Sequence, residues 1–315
     1  MSQRSKEDIQ GLNTEAENPA SAQLDCMNAF EVARVINDED KKVAGAVERA
    51  LSQIADAIDA VARAIGEGGR LIYVGAGTSG RIAALDASEC PPTFNVGYDK
   101  VQFVMAGGTK ALWSATEASE DDTGAGRDDI AERKPGKNDV VAGIAASGRT
   151  PYTIAAIEYA RSKGATTVAI TCNPGSPLGK AAEIEIVAEV GPEVLSGSTR
   201  MKAGTAQKLI CNMITTGAMA RLGYVYGNLM VNVHPKNEKL VQRAIGILEK
   251  ATGASREAAA NKLKESGDNV PLALIMLRTG IEKSEAEKRL RLANGNVRHA
   301  VEGALPLSER RASRS

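Results

Sequence analysis

Aromatic side chains are scarce in this sequence: three Phe, one Trp and six Tyr among 315 residues leave little material for stacking nucleobases. An excess of one charge is lacking too. Lysine plus arginine (39) equals aspartate plus glutamate (39), so the broad basic field of a dedicated nucleic-acid binder is absent and no nucleic-acid partner is expected. The two histidines, His234 and His299, lie in different regions, which leaves neither a metal cluster nor a Ser-His-Asp triad to propose. Cys26, Cys90, Cys172 and Cys211 form no C-x-x-C pair, which argues against a zinc ribbon or a thioredoxin-like motif and fits reduced thiols in a cytoplasm. No run of about 18 apolar residues occurs. The stretch MSQRSKEDIQGLNTEAENP has no apolar core of the kind a secretory signal needs, so a soluble, cytoplasmic protein without a membrane partner is expected.

What the chain does have is ordinary globular material. Hydrophobic residues at 43% and charged residues at 25% rule out wholesale disorder. The length allows one large core with a small domain appended. Val43, Val47, Leu51, Ile54, Ile58, Val61 and Ile65 recur in steps of three and four, which predicts one long amphipathic helix ended by Gly66, Gly68 and Gly69. Short apolar runs at 71–74, 101–105, 139–144, 167–171 and 185–190 predict five strands, most of them followed by glycine-rich turns and helices. That alternation implies an α/β protein, a doubly wound five-stranded parallel sheet flanked by helices. From about Asn237 the chain becomes rich in Ala, Lys and Glu, with Gly253, Gly267, Gly280 and Gly295 spaced as helix ends, so a small C-terminal helical bundle is expected. The organisation read from these patterns is an N-terminal extension and helix over 1–42, the α/β domain over 43–236, the bundle over 237–301 and a flexible basic tail over 302–315.

In such sheets ligands bind at the carboxyl ends of the strands, and the turns there carry the chemistry. Gly75, Gly77 and Gly80 satisfy G-x-G-x-x-G after a strand and before a helix. A dinucleotide site also needs an acid at a strand end about 20 residues on. Asp99 instead precedes the second strand, while Thr78 and Ser79 in the turn suit a single phosphate monoester. A glycine turn serving structure alone is the competing reading. Ser147-Gly-Arg-Thr150 places a second hydroxyl-rich turn on the same rim, and Ser196, Ser198, Thr199, Arg200 and Lys202 form a third, basic cluster. Each charge-assisted hydrogen bond to a phosphate is worth roughly 1.5–3 kcal/mol, so three or four could anchor a small sugar phosphate.

Carboxylates beside a phosphate repel it and are costly unless they do chemistry. Glu89 is therefore a candidate acid or base. It is expected just after the helix 81–87, in a loop fixed by Pro91 and Pro92. A partner is needed, and Glu117, Glu120, Asp121 and Asp122 all offer one; spacing alone does not choose among them. Cys90 and Cys172 lack an adjacent histidine and are read as packed rather than nucleophilic.

The strings LNTE, GAGTSGR, LDASECPPTF, GIAASGRTPY, CNPGS, GPEVLSGSTRMKAGTAQK and GNLMVNV carry a resemblance that covers most of the chain. It resembles the N-acetylmuramic acid 6-phosphate etherases of the sugar isomerase (SIS) domain superfamily, with GPEVLSGSTRMKAGTAQK shared mainly with glucokinase regulatory proteins. The C-terminal helices resemble the small ubiquitin-associated-like bundle that etherases carry. The resemblance implies cleavage of the ether between D-lactate and carbon 3 of N-acetylmuramic acid 6-phosphate, with water consumed and no cofactor or metal. A base would remove the proton on carbon 2 of the ring-opened aldehyde, lactate would leave, and water would add. Carried onto this sequence, Glu89 is the proton donor to lactate and later activates water, and Glu120 is the base. Thr78, Ser79, Ser147, Thr150, Ser198, Thr199 and Arg200 map onto substrate-binding positions. A homodimer is implied. Two competing readings are a non-catalytic sugar-phosphate regulator of a sugar kinase and an aldose-ketose isomerase using a single base.

Overall fold

The computed structural model describes residues 13–114 and 119–303; Leu12, Glu117 and the tail from residue 304 lie outside them. The described residues divide into two compact units, one running up to Ser88 and resuming over Tyr98–Thr215, the other comprising Glu89–Gly97 and the residues from Thr216 onward.

The first unit is built on a parallel sheet of β1 (Leu71–Gly75), β2 (Val101–Met105), β3 (Val140–Ile144), β4 (Thr166–Thr171) and β5 (Ile184–Val187), in the order β2-β1-β3-β4-β5. All five predicted strands are present, and every neighbouring pair is parallel. Their near-continuous apolar character follows from burial on both faces. Alternate residues of β1 point to opposite sides. Ile72 and Val74 join Ile130, Tyr152, Ala156, Ile157 and Leu178 in one core layer, supplied by α4 (Thr123–Glu132), α5 (Pro151–Ser162) and α6 (Pro177–Ala181). On the opposite side Tyr73 donates its hydroxyl to Asp86 Oδ2 at 3.0 Å, on α3 (Gly77–Phe94), beneath α7 (Lys202–Leu222). Helices thus cover both faces.

The long helix predicted from the apolar stripe is two helices, α1 (Ala29–Glu48) and α2 (Leu51–Gly66). The chain turns at Arg49 and Ala50, where the Ala50 N–H bonds Val47 O at 3.0 Å. Val43, Val47, Ile54 and Val61 are each 1% exposed, but Leu51, on the far side of that turn, is 48% exposed. A stripe keeps its phase across a one-turn break, so periodicity alone does not reveal the corner.

A second correction concerns α3, which continues through Pro91 and Pro92 to Phe94. Glu89 is therefore helical and not in a loop. Proline removes an N–H but its φ is helical. Both prolines sit near the helix end, where the Asn95 N–H closes the last turn onto Pro91 O at 2.9 Å, and Asn95 at φ 54° then reverses the chain.

The second unit holds α8 (Glu238–Thr252), α9 (Arg256–Glu265), α10 (Val270–Thr279), α11 (Lys283–Leu292) and α12 (Val297–Glu302). Val270 to Met276 of α10 are all buried and form the centre of its core with Ala244, Leu248, Leu263 and Val297. Gly253 and Gly280 cap α8 and α10 in the left-handed region, as their spacing predicted.

Candidate functional site

The strand order 2-1-3-4-5 has its topological switch point between β1 and β3, where the chain leaves β1 for one face and β3 for the other; in sheets of this kind ligands bind in the crevice outside the carboxyl ends at that point. The two hydroxyl turns singled out in the sequence flank this crevice. Gly75 pairs with Ile144 in register, and Thr78 and Ser147 each stand three residues beyond that pair.

The first turn is shaped by close approach. A Cβ on Gly75 would sit 2.9 Å from the Gly80 nitrogen, and one on Gly80 would sit 2.7 Å from Met105 Cγ, so α3 starts directly against the sheet. Gly77 has φ 52°, and a Cβ there would meet Glu120 Oε1 at 2.9 Å. The Glu120 carboxylate therefore lies over the turn that opens α3, delivered from the segment after β2. Its backbone is held from the other side: the Tyr152 N–H donates to Glu120 O at 3.0 Å. Tyr152 Oη donates to Asp129 Oδ2 at 2.6 Å, and Gly126 rests against the Tyr152 carbonyl so closely that a Cβ would overlap it. Burial and the adjacent Asp129 push the Tyr152 phenol well above its ordinary pKa, so it remains a donor. Tyr152 thus ties the Glu120 segment to the start of α5.

The second turn is equally compact. Gly148 (φ 66°) lies against Ser176 of the β4 turn, and the Leu178 N–H bonds Gly148 O at 3.0 Å. Ser147 Oγ accepts from the Arg149 N–H at 3.2 Å. Thr150 occupies the N-cap of α5 but its side chain makes no capping bond, and Pro151 follows. The first N–H groups of a helix are a ready anion site, and the Thr150 hydroxyl is not spent on them.

The third cluster is split by the structure. Gly204 brings its first residues to the first turn: a Cβ there would lie 3.4 Å from Thr78 Cγ2 and 3.6 Å from Thr199 O, so Thr78 and the Ser198–Arg200 turn are neighbours. Lys202 belongs elsewhere. It is 1% exposed and its ammonium bonds Glu39 Oε2 at 2.7 Å. The N–H groups of Lys202 and Ala203 both donate to the Glu193 carboxylate at 2.9 Å, so a protein carboxylate already occupies the N-terminus of α7. Arg81, the last residue of GAGTSGR, is likewise committed, donating to the carbonyls of Ala111 and Leu112.

Along α3 the 100° step per residue sorts the side chains. Ser79, Ala83, Asp86 and Cys90 are buried, whereas Thr78, Ile82, Leu85 and Glu89 share the adjacent, partly open face. Leu85 is 51% exposed on it. Glu89 is exposed, eleven residues beyond Thr78 and so about 16 Å further along the axis at 1.5 Å per residue. The inner face is pinned by Asp86, 4% exposed, which accepts from Tyr73 Oη, Asn212 Nδ2 at 2.6 Å and Thr215 Oγ1 at 3.2 Å. Burial raises the Asp86 pKa despite these bonds.

Residues Thr14 to Asn18 lie across the unit as a strap. Asn173 Nδ2 donates to Thr14 Oγ1 at 3.2 Å and to Ala146 O, Ser196 Oγ donates to Glu15 O, and Asn18 Nδ2 donates to Pro192 O. A cavity of about 700 Å³ borders this strap between residues 17–25 and 194–196. Among the described residues its lining includes Glu17 and Asp25. Among the described residues no three His, Cys, Asp or Glu gather as a metal site, and no helix is long and apolar enough to cross a membrane. Cys172 is buried, with its thiol pushed up to about 12 by burial and by Glu193, in keeping with a packing role. Sequence reasoning missed Tyr152 and Gln207: the Gln207 Oε1 accepts from Ser79 Oγ at 3.0 Å across 128 residues of sequence, and the i, i+3 spacing of Gly204 and Gln207 on α7 was the one local signal.

Fold and rim together define a SIS-domain protein. A model of the SIS domain matches residues 134–217, and one of the glucokinase regulatory protein N-terminal SIS domain matches residues 53–161. An N-acetylmuramic acid 6-phosphate etherase of Aeromonas hydrophila is 51% identical over 290 residues, 92% of this chain and 97% of that protein. One from Clostridium botulinum is 50% identical over 92% of this chain and 96% of its own length. Among solved structures, a phosphoheptose isomerase from Francisella tularensis aligns with 62% of this chain and all of its own at 18% identity and a TM-score of 0.49. The chain belongs to the N-acetylmuramic acid 6-phosphate etherase family.

Proposed function

We propose that the chain is a carbon–oxygen lyase that converts N-acetylmuramic acid 6-phosphate and water to N-acetylglucosamine 6-phosphate and D-lactate, in the recycling of cell-wall amino sugars. The observation that carries the reading is the Glu120 carboxylate placed over Gly77 in the turn that opens α3. Helix starts attract anions, so the phosphate has its natural seat there and at the start of α5. A carboxylate built into such a seat has a use in removing a proton and little use in binding.

In this account Thr78, Ser79, Ser147 and Thr150 hold the phosphate, with Ser198, Thr199 and Arg200 closing over it. Glu120 takes the proton from carbon 2 of the open-chain aldehyde. Its electron pair forms the double bond to carbon 3 as the carbon–oxygen bond to lactate breaks. Glu89 gives its proton to the departing lactate oxygen, then takes one from the water that adds at carbon 3, while carbon 2 regains a proton. No cofactor is required by this sequence of proton transfers. A cytoplasmic homodimer is the assembly we assign, with residues 43–236 as its catalytic domain and 237–301 as an appended bundle; the exposed Phe30 and Leu51 at 72% and 48% are suited to such an interface.

The match extends over nearly the whole length of the catalytic relatives, which favours an enzyme over a kinase regulator. Incubation with N-acetylmuramic acid 6-phosphate should release D-lactate, and Glu89→Gln should slow release by roughly 10²–10⁴, the scale of a general acid or base. A folded protein that releases none would overturn the etherase reading, and near-normal turnover in the variant would leave Glu89 a structural residue.

A further inference from the structure

Ser79 is one of the hydroxyls assigned to the phosphate, and a hydroxyl has a single proton to give. As it stands that proton is spent inside the protein: Ser79 Oγ donates to Gln207 Oε1 at 3.0 Å. The other end of the same amide is in difficulty. Gln207 is 1% exposed, and its Nε2 is buried with no acceptor among the described residues. An unpaired buried donor is costly, and evolution seldom leaves one without a use. A half-turn of the amide about its last side-chain bond is a soft two-fold rotation that exchanges the two ends in place, setting the acceptor Oε1 where the unpaired donor stood. Nε2 would then donate to Ser79 Oγ, and the Ser79 proton would be released toward the crevice.

We propose that Gln207 is a positioning residue for phosphate binding, whose amide donates to Ser79 Oγ in the working state and so aims the Ser79 proton at a phosphate oxygen. The proposal rests on the sugar-phosphate reading of the crevice. Placement supports it independently of the amide. Gly204 and Gln207 lie one turn apart on α7, the first backing Thr78 and the second backing Ser79, so one helix edge supports both hydroxyls of the turn. Ser79 itself is 8% exposed and is fixed from behind by this one side-chain bond. A carboxylate at position 207 would have the opposite effect. It can only accept, so it would hold the Ser79 proton and set a negative charge behind the phosphate.

The test measures binding of N-acetylglucosamine 6-phosphate by calorimetry, which does not depend on ether cleavage, in the full chain and in Gln207→Met, Gln207→Glu, Ser79→Ala and the Ser79→Ala/Gln207→Met double variant. Gln207→Met should weaken binding about fivefold, the scale of one neutral hydrogen bond, and Gln207→Glu about tenfold or more. In the Ser79→Ala background Gln207→Met should cost nothing further, because the amide acts through that hydroxyl. In turnover, the Gln207→Met effect should fall on KM with kcat within about twofold. Thermal melting identifies the folded variants, and the isosteric Gln207→Glu serves if Gln207→Met does not fold. Unchanged binding in folded Gln207→Met or Gln207→Glu, or equal losses in both Ser79 backgrounds, would overturn the proposal and leave the crevice assignment intact. A wild-type chain that does not bind the sugar phosphate would overturn both together.

Discussion

Replacing Gly77 by alanine separates stability from activity. The added Cβ would fall 2.9 Å from Glu120 Oε1, closer than carbon and oxygen tolerate, and the nearest atom after that is the Glu120 carboxyl carbon at 4.0 Å. What must yield is the tip of a flexible side chain, which moves at little cost. The remaining penalty is the left-handed backbone at φ 52°, about 1–2 kcal/mol for a residue with a Cβ. That corresponds to a fall in Tm of only a few degrees. Activity should respond differently, because a shift of about 1 Å in a reacting group costs on the order of 10²-fold in rate. We expect Gly77→Ala to stay folded, to lose about 100-fold in kcat for D-lactate release, and to cost nothing further when it is introduced into Glu120→Gln. Both rates are measured by coupling lactate to its dehydrogenase, with melting followed by circular dichroism. A Gly77→Ala protein with wild-type kcat would refute the placement of Glu120 as base. A large loss that adds to that of Glu120→Gln would show that the turn matters for another reason.

Other residues give sharper tests of the scaffold. Burial alone would raise the Glu39 pKa, but hydrogen bonds from Lys202, Lys42 and Asn18 outweigh it and bring the group down to about 2. Since the folded value is depressed, this carboxylate stabilises the protein fully above its ordinary value of 4.5 and loses that contribution as pH falls toward 2; Lys202→Met should remove this part of the acid dependence in pH-resolved denaturation. The same variant leaves a buried carboxylate without its main partner and should cost about 3–5 kcal/mol in urea unfolding. Gly126→Ala would force α4 away from the Tyr152 carbonyl, a backbone group that cannot turn aside, so about 1–3 kcal/mol of stability should go together with activity, since Glu120 hangs from the same residue.

The five strands were legible in the sequence because buried parallel strands are unbroken apolar runs closed by glycine, and Gly253 and Gly280 marked helix ends for the same local reason. Features that depend on two distant segments were not. The α1–α2 corner preserves the phase of the stripe, and Pro91 and Pro92 read as a stop although their φ is compatible with a final helical turn. Lys202 looked like a phosphate ligand among Ser198, Thr199 and Arg200 until its partner, Glu39, came from 163 residues away. The choice of Glu120 from its acidic run came from family resemblance, since Gly77 and Tyr152, which hold it in place, are far from it in sequence. Gln207 gave no signal beyond its one-turn spacing from Gly204.

The central claim is that Glu120 starts an elimination and water then adds at carbon 3. The most direct measurement runs the reaction in water enriched in oxygen-18 and weighs both products by mass spectrometry. The account predicts one heavy oxygen in N-acetylglucosamine 6-phosphate, at carbon 3, and none in D-lactate, with both products lost together in Glu120→Gln. Heavy oxygen in the lactate would mean that water attacks the lactyl carbon instead, and would contradict it.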